Sequence, residues 1–419
     1  MGRRLFFALI LPLALSQAAP PPRPYHVEHY DVKLEVDIGE KRLAGEVSIR
    51  FRSLVANLSE LELDAGELEV TSVAEGRFSR QGRTLAVSLK RAVRLGEQGK
   101  LTIRYRAKPA RGLVFFPDQV YTSFFTNDWM VCNDRPEDRA TLRLTISAPA
   151  DAKVVGSGRL VSLRAGLSEW ALDSPAPPFV FGFAVGDFVE SSTAVGAVKL
   201  RYLGRTRADA TVSGATESAL QFLSEKSGME FPGATYTQVF AQGRVEQEVA
   251  GFTLLPESYQ VNLTTHPEDL WLLAHELAHQ WYGIGIACQD WSDFWLNEGM
   301  ATFLADAFLE QRFGRERYDR EIAGSRKIYE ALKDEGKDRP LSYHDWTTTQ
   351  QAAGRLPYHK GAWFLHLLRE QVGGDAFWRG LRIYTKDHWG KAVVSADFQK
   401  SMERATGTSL SALFAKWVY

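Results

Sequence analysis

The residues best equipped for chemistry lie in Trp271-Leu-Leu-Ala-His275-Glu276-Leu-Ala-His279-Gln-Trp-Tyr282. Two histidines four residues apart project from one face of a helix, one turn apart. Both imidazoles can then reach one zinc ion at about 2.0–2.1 Å. Glu276, beside the first histidine, sits near such an ion without having to bind it, which is where a general base belongs. Leu272, Leu273, Leu277 and Ala278 mark the helix as buried. An ionisable cluster on so apolar a helix costs desolvation unless a metal compensates it. A two-histidine catalytic site needs a third protein ligand and an open position. Trp295-Leu-Asn-Glu298-Gly-Met-Ala-Thr-Phe303 offers Glu298, 19 residues after His279. That interval leaves room for the first helix to end, for a connection containing Gly283 and Gly285, and for a second helix to return past the first. Ala301, Leu304, Ala305 and Phe308 give the second helix an apolar stripe.

The elements that must position these groups follow from periodicity. Tyr30, Val32, Leu34, Val36 and Ile38 are apolar at every second position, with Asp31, Lys33, Glu35 and Asp37 between them, as in a half-buried strand. Val47, Ile49 and Phe51 repeat the pattern, as do Leu101, Ile103 and Tyr105, then Leu142, Leu144 and Ile146. Short strands separated by turn signals predict an antiparallel β-sandwich or saddle over residues 20–190, with Phe179–Phe188 as its last strand or exit. Beyond it the signals become mixed, then helical. Helices are expected at Ala219–Lys226, Leu270–Tyr282, Asn297–Phe313, Gly361–Glu370 and Ser409–Trp417, with a strand at Tyr236–Phe240. The expected class is α+β and multidomain.

Composition narrows the setting. With 45% hydrophobic residues, 24% charged residues and a net charge of -1, the chain is an ordinary globular protein. That charge gives no reason to expect nucleic acid or an anionic membrane surface as a partner. Arg3-Arg4, the apolar run Leu5–Leu15 and the small residues of Ser16-Gln17-Ala18 follow the pattern of a cleaved secretory signal over residues 1–18. No later segment is apolar for long enough to cross a bilayer. The mature protein is therefore expected to be exported, to the periplasm or the extracellular space, without stable membrane insertion. Export permits a disulfide between Cys132 and Cys288. Two buried free thiols in different domains fit the sequence equally well.

His-Glu-Leu-Ala-His-Gln-Trp-Tyr-Gly followed by Trp-Leu-Asn-Glu-Gly-Met-Ala-Thr resembles the gluzincin aminopeptidases, the family of aminopeptidase N and leukotriene hydrolase. The resemblance implies one zinc per chain, held by His275, His279 and Glu298, with Glu276 as base. It also implies a thermolysin-like α/β and helical catalytic domain, here residues 191–419. The family uses a tyrosine about sixty residues beyond the glutamate ligand, in a Tyr-x-Lys-Gly-Ala context, to stabilise the oxyanion. Tyr358-His-Lys360-Gly361-Ala362 fits that distance and context. The family's Gly-Ala-Met-Glu-Asn exopeptidase motif, whose glutamate binds the substrate's free α-amine, is altered to Val245-Glu246-Gln247-Glu248-Val249-Ala250-Gly251. Matching Gly251 to the family's later glycine makes Glu248 the amine-binding residue and puts Glu257 at the family's next glutamate. Matching Gly243 to the earlier glycine makes it Glu246. Glu248 is the favoured assignment, with Gly251 beside it in the substrate site. Cys132-Asn-Asp-Arg-Pro136 resembles the family's Pro-Cys-Phe-Asp-Glu-Pro segment, and Tyr121–Phe125 lacks the glutamine that often supplies a second amine anchor there. His359 is expected near the site but not as a ligand. The resemblance ends at Leu413–Trp417, so a short form without the larger members' C-terminal domains, and hence a more open cleft, is expected.

These residues predict a zinc aminopeptidase that removes N-terminal residues from peptides. An endopeptidase or oligopeptidase with altered N-terminal anchoring is the alternative within the same chemistry. An inactive binding protein with a peptidase fold is the alternative of another class, and the complete set of hydrolytic groups argues against it.

Overall fold

A computed structural model of the chain describes residues 22–419; the expected signal segment lies outside the described residues. The predicted alternation becomes the strand Tyr25–Asp37, in which Val27, Tyr30, Val32, Leu34 and Val36 are buried. It pairs antiparallel with Arg42–Ser53, Val32 opposite Val47. These strands sit at the centre of a seven-stranded sheet whose order is Arg159–Arg164, Leu167–Ala176, Ala140–Ser147, Tyr25–Asp37, Arg42–Ser53, Gln98–Ala107, Glu69–Val73. One pairing departs from the antiparallel expectation: Ala140–Ser147 runs parallel to Tyr25–Asp37, with Val32 opposite Leu144. The long stretch of chain between them makes that crossover possible, since parallel neighbours cannot be joined by a tight turn.

A three-stranded sheet (Leu58–Asp64, Thr84–Val93, Gly76–Gln81) and a four-stranded one (Lys153–Gly156, Phe183–Gly186, Gln119–Ser123, Gly112–Phe115) complete this half. Leu61, Leu63, Leu85 and Val87 share one core with Val32, Val47 and Ile103. The expected exit strand is broken. Pro177 and Pro178 turn Pro178–Val180 into a single 3-10 turn, and only Phe183–Gly186 is strand.

Val189–Val195 and Val198–Gly204 begin a second sheet, continued by Thr235–Ala241, Phe252–Pro256 and, at the edge, Gln247–Val249. The helix Ala210–Ser227 packs nearby, started by the Asp209 side chain accepting from the N–H groups of Thr211 and Val212 and ended by Gly228 at φ 71°. The helices that follow bury a second core around Leu273, Leu277, Phe303, Phe364 and Phe398. Sequence periodicity does not single out Arg315–Asp334, Gly374–His388 or Ser395–Thr406, all of which are helices. The helix expected from Gly361 starts at Arg355, because Pro357 lies in its first turn, where its missing N–H costs nothing. Among the described residues no helix is long and apolar enough to cross a membrane. Cys132 and Cys288 are buried free thiols.

Candidate metal centre

Two helices build the centre. The first, Trp271–Ala278, is shorter than its pattern predicts, but the backbone of His279 stays right-handed helical. The last turn tightens: Gln280 N–H bonds Leu277 O at 3.1 Å and Trp281 N–H bonds Ala278 O at 3.0 Å. His275 and His279 therefore still share a face. Gly283 then takes φ 125°, and a Cβ there would lie 3.1 Å from His279 Nδ1. The second helix, Trp295–Phe313, carries Glu298 in its first turn. Its start is anchored by Asn297 Oδ1, which accepts from Cys288 N–H at 3.0 Å.

The three expected ligand atoms converge. His275 Nε2 and His279 Nε2 are 3.1 Å apart. Glu298 Oε2 is 3.5 Å from the first and 3.4 Å from the second. A tetrahedral zinc with bonds of about 2.05 Å spaces its ligands about 3.3 Å apart. The donor triangle already has the edge lengths that zinc requires. His279 Nδ1–H donates to Tyr282 O at 3.0 Å, which leaves the Nε2 lone pair facing the site. The Trp271 ring stacks on His275 at 4.7 Å.

The electrostatics also suit a cation. Glu248, Glu276 and Glu298 are all buried around the two imidazoles. Burial disfavours charge on His279, yet Glu298, Glu248 and Glu276 prevail and raise it to about 10. Burial pushes the Glu276 carboxyl well above its ordinary range, with the charges of Glu248 and Glu298 adding to the shift. Its Oε2 has no hydrogen-bond partner among the described residues. Burial likewise raises Glu248 to about 7. For Glu298 burial is outweighed by the adjacent histidines, which hold it ionised.

A cavity of about 440 Å³ opens over this cluster, lined in part by Glu246, Glu248, His275, Glu276, Glu298 and Tyr358. Glu248 lies on the edge strand Gln247–Val249 and is buried, whereas Glu246 is exposed. Glu248, Glu276 and His279 can bring one ligand-type atom each within 4.8 Å of one another. Gly251 is not part of this lining. It sits in the turn behind the strand at φ 88°, and its N–H is taken by Gln280 Oε1 at 3.0 Å. Its N–H is therefore not free for a substrate. Gln280 Nε2 also donates to Val249 O at 3.0 Å, so the residue after His279 clamps the turn that follows Glu248.

Tyr358 comes from the first turn of the helix Arg355–Val372, and its ring lies parallel to His275 at 6.0 Å. Burial, reinforced by the charges of Glu298, Glu248 and Glu276, keeps its phenol protonated and able to donate. Gly361 on this helix meets Gly299 on the Glu298 helix. A Cβ on Gly361 would lie 2.7 Å from Gly299 Cα, and one on Gly299 would lie 2.8 Å from Gly361 Cα. The two helices approach this closely only because neither has a side chain there. His359 also faces the cavity, and its Nδ1 lies 3.2 Å from Ser325 Oγ.

Phe124 and Phe125, in the segment without a glutamine, line the cavity. Both adopt left-handed backbone conformations, φ 48° and 46°. Such conformations in bulky residues persist only when their surroundings impose them, and they cluster at functional sites. Gln247 Oε1 accepts the Phe124 N–H at 3.1 Å, and Arg111 lies over the Phe125 ring at 4.4 Å. Nothing local in Tyr121–Phe125 announces this geometry.

Two buried histidines, a buried carboxylate and a glutamate beside the first histidine form a donor set that could hold a catalytic zinc. Residues 216–417 match the Peptidase family M1 domain. Over nearly its whole length the chain is similar to M1 zinc metallopeptidases of solved structure. The M1 zinc metallopeptidase of Deinococcus radiodurans is 26% identical and superposes with a TM-score of 0.80, covering 96% of this chain and 95% of that one. A mutant of that protein bound to a Tyr-Ser-Ala substrate also gives a TM-score of 0.80, at 26% identity and 94% coverage of both chains. Leucine aminopeptidase 2 of Coccidioides immitis is 25% identical over 427 residues, which is 90% of this chain and 66% of the relative. The chain spans between about half and two thirds of the length of the curated relatives it matches.

Proposed function

We propose that this protein is a zinc-dependent aminopeptidase that releases N-terminal residues from peptides. The observation that carries this reading is the buried Glu248 carboxylate, 6% exposed, which shares one cavity with the His275, His279 and Glu298 triangle. A carboxylate so placed can take the α-ammonium of a peptide by a charge-assisted hydrogen bond. That contact would set the first peptide bond beside Glu276. A zinc ion held by His275, His279 and Glu298 would acidify the attacking water and polarise the scissile carbonyl. Glu276, beside His275 on the same helix, is placed to take the proton from the water and return it to the leaving amine. Tyr358 donates its hydroxyl hydrogen to the oxyanion as it develops.

The burial of Glu248 and the exposure of Glu246 favour Glu248 as the anchor. The apolar wall of Phe124, Phe125, Trp271, Leu272 and Phe294 supports acceptance of hydrophobic residues next to the scissile bond. The tripeptide bound by the Deinococcus relative supports peptides as substrates. Sheet membership supports a division between the all-β half and the catalytic half near residue 190. We read residues 1–18 as an export signal on their composition.

The reading is tested by incubating the protein with one peptide of defined sequence and following the products by mass spectrometry. A ladder of peptides shortened one residue at a time from the N-terminus is expected. Fragments from internal cleavage alone would contradict it and favour the endopeptidase alternative.

A further inference from the structure

The two metal-bearing helices carry matching rows of side chains. Trp271, His275 and His279 recur every four residues on one, and Glu298, Thr302 and Asp306 do so on the other. Side chains at that spacing stack along one helix face. The rows run in opposite directions and touch at both ends. At one end His279 Nε2 lies 3.4 Å from Glu298 Oε2. At the other, Trp271 Nε1–H donates to Asp306 Oδ1 at 2.8 Å. His275 and Thr302 occupy the middle of the two rows.

The side chains of His275, Thr302 and Asp306 are sealed from solvent. Asp306 and Thr302 are each 1% exposed and His275 is 4% exposed. His275 Nδ1, Thr302 Oγ1 and Asp306 Oδ2 have no hydrogen-bond partner among the described residues. A buried polar group without a partner costs about 1–3 kcal/mol, so three on facing helix sides call for a purpose. A metal-ligating imidazole orients and keeps its tautomer through the hydrogen bond made by its second nitrogen. His279 has that bond, to Tyr282 O. His275 instead has a stacked indole on one face, and Asp306 holds that indole.

We propose that Asp306, acting through Trp271, is the positioning residue for the metal ligand His275. The Asp306 carboxylate fixes the Trp271 indole, and the indole fixes the plane of the His275 ring. Zinc then meets a His275 Nε2 already aimed at the donor triangle. This inference rests on the zinc reading above.

Zinc affinity tests it without reference to turnover. The metal-loaded protein and two variants, Trp271→Phe and Asp306→Ala, are titrated against a chromophoric zinc chelator. Asp306→Asn, which retains an oxygen able to accept from Trp271, is the conservative control. Circular dichroism confirms that each variant is folded. Zinc binding 10- to 100-fold weaker is expected in both Asp306→Ala and Trp271→Phe, each of which breaks the carboxylate–indole bond, with substantial recovery in Asp306→Asn. Cobalt-substituted protein gives a second readout, because a misaimed His275 alters the visible spectrum of the metal. Folded variants with wild-type zinc affinity and an unchanged cobalt spectrum would overturn the inference. Failure of the wild-type protein to bind zinc would instead overturn the reading on which it rests.

Discussion

Replacing Gly361 by alanine adds a methyl group 2.7 Å from the Cα of Gly299 on the facing helix. Carbon atoms pack comfortably at about 3.5–4.0 Å, so the helices must separate locally by about 1 Å. Both sides of the contact consist of backbone, so no flexible side chain can yield. The displacement falls on the active site: Glu298 adjoins Gly299, and Tyr358 lies one turn before Gly361. A shift of about 1 Å in a catalytic array costs on the order of a hundredfold in rate, equivalent to about 2.7 kcal/mol in the barrier. Stability should suffer less. Overpacking costs about 1–3 kcal/mol, and the better helix propensity of alanine returns about 1 kcal/mol. Gly361→Ala should therefore remain folded while losing about two orders of magnitude in kcat/KM. The assay combines thermal unfolding, zinc content and hydrolysis of a free N-terminal peptide substrate. Wild-type turnover in the folded variant would show that the close helix approach does not set the Glu298–Tyr358 geometry.

Glu248→Gln removes one charge-assisted contact of about 1.5–3 kcal/mol. It should lower kcat/KM about 10- to 150-fold for peptides with a free N-terminus and change it little for N-acetylated ones. An equal loss in Glu246→Gln with none in Glu248→Gln would move the anchor to Glu246. Tyr358→Phe should reduce turnover by about 10²–10³, the usual cost of one oxyanion donor, with zinc content unchanged. Zinc loss in that variant would mark the tyrosine as structural. In the all-β half, His26 is raised above its ordinary value chiefly by its hydrogen bond to the buried Asp138. A raised pKa in the folded state means this contribution is complete below about pH 6.5 and disappears as the pH climbs through the raised value. The gap in Tm between wild type and His26→Gln should be widest near pH 6 and close at alkaline pH. A gap independent of pH would contradict that linkage.

The metal triangle was legible because its information is local. Two histidines one helical turn apart, a glutamate beside the first and an apolar flank need no knowledge of the rest of the fold. Glu298 followed because one connection of moderate length returns the chain past the first helix. The other features depend on contacts between distant segments. Gly251 reads as a substrate-side glycine by its spacing, but only the fold reveals that Gln280 occupies its N–H. Phe124 and Phe125 read as ordinary apolar residues, and their left-handed conformations arise from the packing of Tyr121–Asp128 against Gln247 and Arg111. The parallel pairing of Tyr25–Asp37 with Ala140–Ser147 joins strands too far apart for any local pattern to couple. Asp306 belongs to no short motif, and its place beside Trp271 emerges only when the two helices are set against each other.

The central claim is that a zinc site cleaves peptides whose register is fixed by their free α-amine. Its most direct test pairs one peptide with its N-acetylated twin, each incubated with the protein in the presence and absence of a zinc chelator and analysed by mass spectrometry. The account predicts stepwise loss of N-terminal residues from the free peptide, abolished by the chelator and by acetylation. Chelator-sensitive internal cleavage at equal rates in both peptides would keep the zinc chemistry and contradict the assigned role of Glu248.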